Sequence, residues 1–234
     1  MTDPTSLPPG QYVTADFPRF GLPRFANRFP KNVNEIALQL LGDVERSLFV
    51  STELGVLPRV EQVSDFHCVT TWSCRSLCWS GFRFSDFYEQ IVVPGARPRP
   101  NARFVVLRSQ DGYRSSLPLD DLLANDVLLA DTLNGRPLTI EHGAPLRLIA
   151  PSHYGYKNVK HLSRVEFWRD DRTYRPAALR FMDHPRARVA FEERGKGVPG
   201  PILRYLYRPL VRPTISRFRR AIRQQATVSE PSDA

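Results

Sequence analysis

The chain has little cysteine and no long apolar run. Its 234 residues include three cysteines and two methionines. An odd, small cysteine count does not supply a disulfide framework. The order Cys68, Cys74, Cys78 is a C-x5-C-x3-C spacing, which fits neither structural zinc nor iron–sulfur clusters. A C-x-x-C-H sequence is also missing, so the attachment motif of c-type haem is not there. The longest apolar stretches are like residues 127–130, far below the ~20 residues a membrane-spanning helix requires. The opening Met1-Thr2-Asp3-Pro4 has an acid where a secretory leader has basic residues and then an apolar core. Together these absences lead to the expectation of a cytoplasmic protein.

What is present suits one well-buried domain with tails. The hydrophobic share of 41% and charged share of 24% are ordinary for a globular protein. Proline is abundant at 21 residues, close to twice the usual ~5%. Many rigid turns and short elements favour a β-dominated α+β domain over a helical bundle. The net charge is +9, but seven arginines from Pro201 onward face only Glu230 and Asp233. The basic character is therefore a property of the tail, and no nucleic-acid surface is expected on the body.

Three regions follow from composition. Residues 1–31, rich in proline, phenylalanine and arginine, form a segment that wraps over the domain. Residues 32–200 are the body, and residues 201–234 a basic tail. In the body, Ile36, Leu38 and Leu40 alternate, Gly42-Asp43 marks a turn, and residues 44–50 return as a hairpin. Residues 60–72 read as strand, Ser85 as the cap of a short helix through Ile91, and residues 94–100 as a proline-rich loop. The run RFVVLRS (103–109) is a buried strand, 117–124 a short helix, Asn134-Gly135 a tight turn, and 146–150 and 164–168 strands. In the tail, Thr214 is read as the cap of a helix to Gln225, with Ile215, Phe218 and Ile222 on one face. The simplest reading docks that helix on its own domain and leaves its arginines in solvent.

Chemistry first appears at DFHCVTTWS (65–73). In an extended strand Phe66, Cys68 and Thr70 share one face and His67 points the other way. Taken alone, a single cysteine in a β-rich body is more often a small buried hydrophobe than a ligand. Asp183 and His184, before Pro185, read as a solvated turn rather than a catalytic pair.

The stretch DFHCVTTWS with the following LCWSGFRFSDF resembles the sulfite oxidase and oxidoreductase molybdopterin-binding family. A second block, DVLLADTLNGRPLTIEHGAPLRLIAPSHYGYKNVKHL (126–162), carries the same resemblance through its HGAPLR and YGYKNVK pieces. Together the blocks and the segment between them span residues 60–168, nearly half the chain. The resemblance implies a Mo-molybdopterin cofactor, with Cys68 as the metal's protein ligand and Cys74, Cys78 and His67 off the metal. It implies cofactor contacts from Arg147 and His142 of the hexapeptide, from the backbone and ammonium donors of Asn158, Val159 and Lys160, and from the hydroxyl of Ser109. Tyr113 matches a tyrosine near the metal in relatives, and Tyr154 and Tyr156 flank the pocket mouth.

The chain also departs from the pattern. The stretch after Trp168 is too short for an immunoglobulin-like dimerisation domain of ~100 residues, so this resembles a minimal single-domain member. His161 stands where many relatives have tryptophan. An arginine cluster for sulfite is not apparent, with Arg24 and Arg28 the nearest contributors. The implied function is oxygen-atom transfer on a small sulfur- or nitrogen-containing substrate, with electrons from a separate partner. The competing reading is a cofactor-free scaffold of the same fold whose basic tail attaches to a membrane or a protein.

Overall fold

The computed structural model describes residues 7–229. In chain order its strands are β1 (Tyr12–Val13), β2 (Leu38–Gly42), β3 (Leu48–Val50), β4 (Arg59–His67), β5 (Trp72–Arg83), β6 (Phe104–Ser109), β7 (Arg114–Pro118), β8 (Leu128–Leu133), β9 (Arg136–Pro137), β10 (Arg147–Ile149) and β11 (Leu162–Trp168). The helices are α1 (Phe84–Phe87), α2 (Leu119–Leu122), α3 (Gly200–Tyr207) and α4 (Val211–Ser229). One sheet runs β1-β5-β8-β10, with β4 on β5 and β9 on β8; the other runs β3-β2-β11-β6-β7. The result is the β-dominated α+β domain expected from composition.

Alternation along the strands explains the layering. In β8, Leu129 points into the main core while Leu128 and Ala130 point to the opposite face; in β10, Leu148 and Ile149 divide the same way. The first sheet is thus buried on both faces, which is why residues 127–130 read as an unbroken apolar run. Its inner face meets Leu38, Leu40, Val105, Leu107 and Val165 of the second sheet. Its outer face carries Trp72 and Trp79, covered by Phe17 and Phe20 of the amino-terminal segment and by Val211 and Ile215 of α4.

Several local expectations need correction. β4 ends at His67, so Cys68 sits in the turn to β5 rather than inside a strand. Its amide donates to Trp72 O (2.8 Å), and Thr71 donates back to Cys68 O (3.1 Å) with φ of 93°. Ser85 is the second residue of α1 and not its cap, and the chain continues as a π-helix, Tyr88–Ala96, straight through Pro94. Thr214 likewise lies buried inside α4, which begins three residues earlier. Pro209 and Pro213 read as breakers in sequence, yet each falls in a first helical turn, where a missing N–H removes no hydrogen bond.

The helix docks on its own domain: Phe218 and Ala221 are buried against Ala26 and Phe29, while Arg217, Arg219, Arg220 and Arg223 are exposed. No helix among the described residues is long and apolar enough to cross a membrane. Phe218→Ala should therefore cost about 3 kcal/mol of folding stability. Urea denaturation checks this, and an unchanged midpoint would mean that α4 is not held by that contact.

Candidate active site

The β4–β5 turn, the end of β6, the loop before β11, the amino-terminal segment and α4 converge on one cavity of about 240 Å³. Cys68, Ser109, Tyr113, Asn158 and Lys160 all line it. Much of its wall is apolar, including Phe17, Phe20, Leu22, Phe66, Trp72 and Met182.

Cys68 is the buried thiol of this cavity, and its turn is braced from several directions. Its Sγ lies 3.1 Å from Thr70 Oγ1, and its carbonyl accepts from Gln11 Nε2 at 3.1 Å. Arg194, fully buried, donates to Val69 O (2.6 Å) and Pro9 O (2.9 Å) and lies over the Tyr154 ring. Burial pushes the Cys68 thiol up to about 11, an effect that Thr70, Arg194 and Lys160 oppose. Phe66 and Thr70 share the cavity with Cys68, and His67 turns away to Ser73 Oγ at 2.8 Å. Cys74 packs on the outer face of the first sheet, and neither it nor Cys78 reaches the cavity. Among the described residues no three His, Cys, Asp or Glu side chains come together as a metal cage. A metal bound through Cys68 would therefore draw its other donors from a cofactor.

The hexapeptide HGAPLR lies behind this cavity: neither His142 nor Arg147 is part of its lining, but both pack on Phe17, which is. Arg147, in β10, has no exposed surface; its Nη1 donates to His142 O at 2.7 Å, while Nε and Nη2 have no acceptor. Phe17, Phe66 and Trp79 box the guanidinium, with Trp79 nearest at 4.9 Å. His142 stacks on Phe17, the rings 5.0 Å apart and 8° from parallel, and its buried Nδ1 also lacks a partner. Gly143, at φ of 112°, permits this packing: a Cβ there would lie 3.1 Å from both Arg147 Cβ and Lys160 Cβ. Lys160 reaches only a carbonyl, Glu141 O at 2.7 Å. Burial lowers the Arg147 guanidinium to about 9; burial, Arg147 and Arg19 push the Lys160 ammonium well below its ordinary value. The group is a set of enclosed cations short of an anion.

The remaining candidates divide. Ser109 and Tyr113 sit at the ends of the β6–β7 turn; the Tyr113 hydroxyl donates to Tyr156 O (2.7 Å), and burial raises its pKa well above the ordinary value, so it is a donor and not a base. Asn158 braces its loop by accepting from Ala150 N at 2.7 Å. The amides of Asn158 and Val159 are taken by Gly155 O and Lys157 O, and the Val159 side chain lies in the core. Of that trio, Lys160 presents the charged group. Tyr156 lines the cavity and Tyr154 does not. Arg24 and Arg28 are exposed and outside the lining; the arginine of that segment that reaches the cavity is Arg19, whose guanidinium is held by Ala26 O and Arg28 O, both at 2.7 Å. Asp183 is no solvated turn residue but the counter-ion of fully buried Lys157, at 3.2 Å, while His184 Nδ1 accepts from Ala187 N.

Arg19, Lys157 and Arg194 escaped sequence reasoning. Each looks like a surface charge in a turn-rich stretch, and only the high density of aromatics around Arg19 hinted at burial.

A buried thiol in an apolar cavity, with unpartnered guanidinium nitrogens packed behind its Phe17 and Phe66 wall, is an arrangement that could hold an anionic, sulfur-bearing cofactor. Residues 26–175 match the oxidoreductase molybdopterin binding domain family. The chain belongs to that family, and its cofactor is Mo-molybdopterin. An uncharacterized oxidoreductase of Bacillus subtilis, YuiH, is 37% identical over 169 residues, 70% of this chain and 80% of that protein. The protein-methionine-sulfoxide reductase catalytic subunit MsrP of Campylobacter jejuni is 27% identical over 185 residues, 66% of this chain and 60% of that one. The sulfane dehydrogenase SoxCD of Paracoccus pantotrophus shares the fold, with a TM-score of 0.50 and 22% identity over 57% of this chain and 38% of that chain. The chain thus spans less than two thirds of the last two.

The cations also fix a pH response. Burial first, then Lys160 and Arg147, hold His142 down at about 4; burial does the same to His161. Unfolded, each takes a proton near 6.5. Between these values the unfolded chain binds more protons, so stability falls as pH falls. Cofactor-free protein should therefore lose stability steadily as the pH is taken from about 6.5 to about 5. His142→Gln with His161→Gln should flatten that decline, and parallel curves for variant and wild type would refute the assignment.

Proposed function

We propose that the chain removes oxygen from a neutral organic S-oxide, with Cys68 as the protein ligand to molybdenum. The carrying observation is the apolar wall around Cys68: of its lining cations, Arg19 is engaged by backbone carbonyls and Lys160 would serve the cofactor's anionic end. A doubly charged oxyanion such as sulfite would lose its hydration there without gaining free guanidinium donors. A neutral sulfoxide keeps its apolar substituents against Phe20, Phe66 and Trp72. The MsrP relative, a protein-methionine-sulfoxide reductase catalytic subunit, points the same way.

The residues present suit the cofactor. Arg147 Nε and Nη2 and His142 Nδ1 are buried polar atoms without partners, and with Lys160 they would hold its phosphate and pterin edge. When bound, the cofactor would supply the two-electron oxygen-transfer chemistry. Cys68 gives up its proton to bind the metal. The aromatic wall excludes bulk water, and Tyr113 holds a proton at its hydroxyl within the same cavity. Overall, S-oxide, two electrons and two protons give thioether and water. The electrons come from a separate partner. The orphaned guanidinium nitrogens also weigh against a cofactor-free scaffold, which would gain nothing from burying them.

Turnover of the molybdenum-loaded protein with an artificial electron donor tests the reading. Dialkyl and methionine sulfoxides should be reduced with kcat/KM at least roughly 100-fold above that for sulfite oxidation. The opposite preference would overturn it.

A further inference from the structure

The carboxy-terminal helices hold a feature that the cavity does not use. Tyr207, Arg208 and Val211 keep right-handed helical dihedrals, so α3 passes into α4 without an extended break. Leu203, Tyr207, Val211 and Phe218 form the buried stripe. A second apolar stripe faces outward: Ile202 is 53% exposed, Tyr205 69%, Leu206 61% and Leu210 52%. Spacings of three, four and eight residues put these four on one face. Solvated aliphatic and aromatic side chains grouped this way are unusual on a surface that meets only water.

The charges that the two helices themselves carry are of one sign. Arg208 and Arg212 flank the stripe, and Arg217, Arg220 and Arg223 continue the exposed row on α4, whereas half-buried Arg204 pairs with Glu192 (3.6 Å) and Arg219 with Asp16 (2.9 Å). Residues 200–229 contain no aspartate or glutamate. Arg208 also lies 5.8 Å from the ring of Tyr12, which with Val13 adds exposed apolar surface beside the helix. Leu210, at the end of the stripe, lines the catalytic cavity, whereas Ile202, Tyr205 and Leu206 line no part of it.

We propose that this face is a docking surface for an anionic lipid bilayer, with Ile202, Tyr205 and Leu206 entering the headgroup region and the arginine row meeting lipid phosphates. The charge favours lipid over a protein partner, because it is spread evenly along the helix rather than gathered round one pocket. Long arginine stems can lie along the apolar stripe while their guanidinium groups stay in the polar layer. The sequence reading placed any attachment function on the arginine-rich α4. The structure docks the apolar face of α4 on the domain, buries Leu203 and Tyr207 of α3, and leaves a second apolar stripe of α3 bare. This inference does not depend on what the cavity catalyses.

The test is cosedimentation of the full holoprotein with vesicles. Phosphatidylcholine vesicles containing phosphatidylglycerol should bind at least roughly tenfold better than pure phosphatidylcholine, and added salt should release the protein. Ile202→Glu with Leu206→Glu should weaken binding roughly tenfold or more, with turnover on an artificial electron donor unchanged. Arg208→Ala with Arg212→Ala should weaken it on the anionic vesicles alone. Absence of binding to anionic vesicles, equal binding to neutral ones, or undiminished binding by the glutamate variant would each overturn the proposal. Concentration-dependent dimerisation abolished by the glutamate variant, without vesicle binding, would assign the face to a second copy and overturn it as well.

Discussion

Arg147 is the constraint around which the site is built. A guanidinium with two buried nitrogens and no acceptor is a costly arrangement, and a neighbouring ammonium makes it costlier. On the proposed function, the anionic end of the cofactor would compensate this group when bound. The strand position of Arg147 in β10, the glycine at 143 and the aromatic box of Phe17, Phe66 and Trp79 all serve to hold it in place. The depressed histidines on either side follow from the same concentration of positive charge and burial.

Cys68 is positioned by a different device. A turn between two long antiparallel strands would be mobile if left to itself, but this one is tied down from distant parts of the chain. Gln11 reaches its carbonyl across 57 residues of sequence, and Arg194 reaches Val69 across 125. Since Arg194 also holds Pro9, the amino-terminal segment and residues 192–194 close over the turn as one unit. The thiol is thus fixed in an apolar setting that disfavours its ionised form until a metal is present.

The parts of the fold legible in sequence are those governed by local periodicity. RFVVLRS alternates between two cores and is a strand; residues 127–130 are buried on both faces and read as one apolar run. The buried face of α4 was equally plain in Ile215, Phe218 and Ile222. Helix starts were not, because Pro94, Pro209 and Pro213 look like breakers and the structure places them where their missing amides are tolerated or a π-helical segment absorbs them. For the site, the family blocks supplied Cys68, Arg147 and Lys160 as candidates. Periodicity had nothing to say of Arg19, Lys157 or Arg194, each of which donates to a backbone carbonyl brought near by the tertiary fold. The backbone donors expected of Asn158 and Val159 illustrate the converse: the motif is present, but the loop consumes its own amides.

The central claim is that Cys68 supplies the protein thiolate to a molybdenum held by a pterin whose anionic end rests on Arg147. X-ray absorption at the molybdenum edge, on protein produced in a host that makes the cofactor, tests it most directly. Wild-type protein should show three sulfur neighbours, two from the pterin and one from Cys68, and Cys68→Ser should show two with the pterin still bound. An unchanged sulfur count in Cys68→Ser, or stoichiometric zinc in place of molybdenum, would contradict the account.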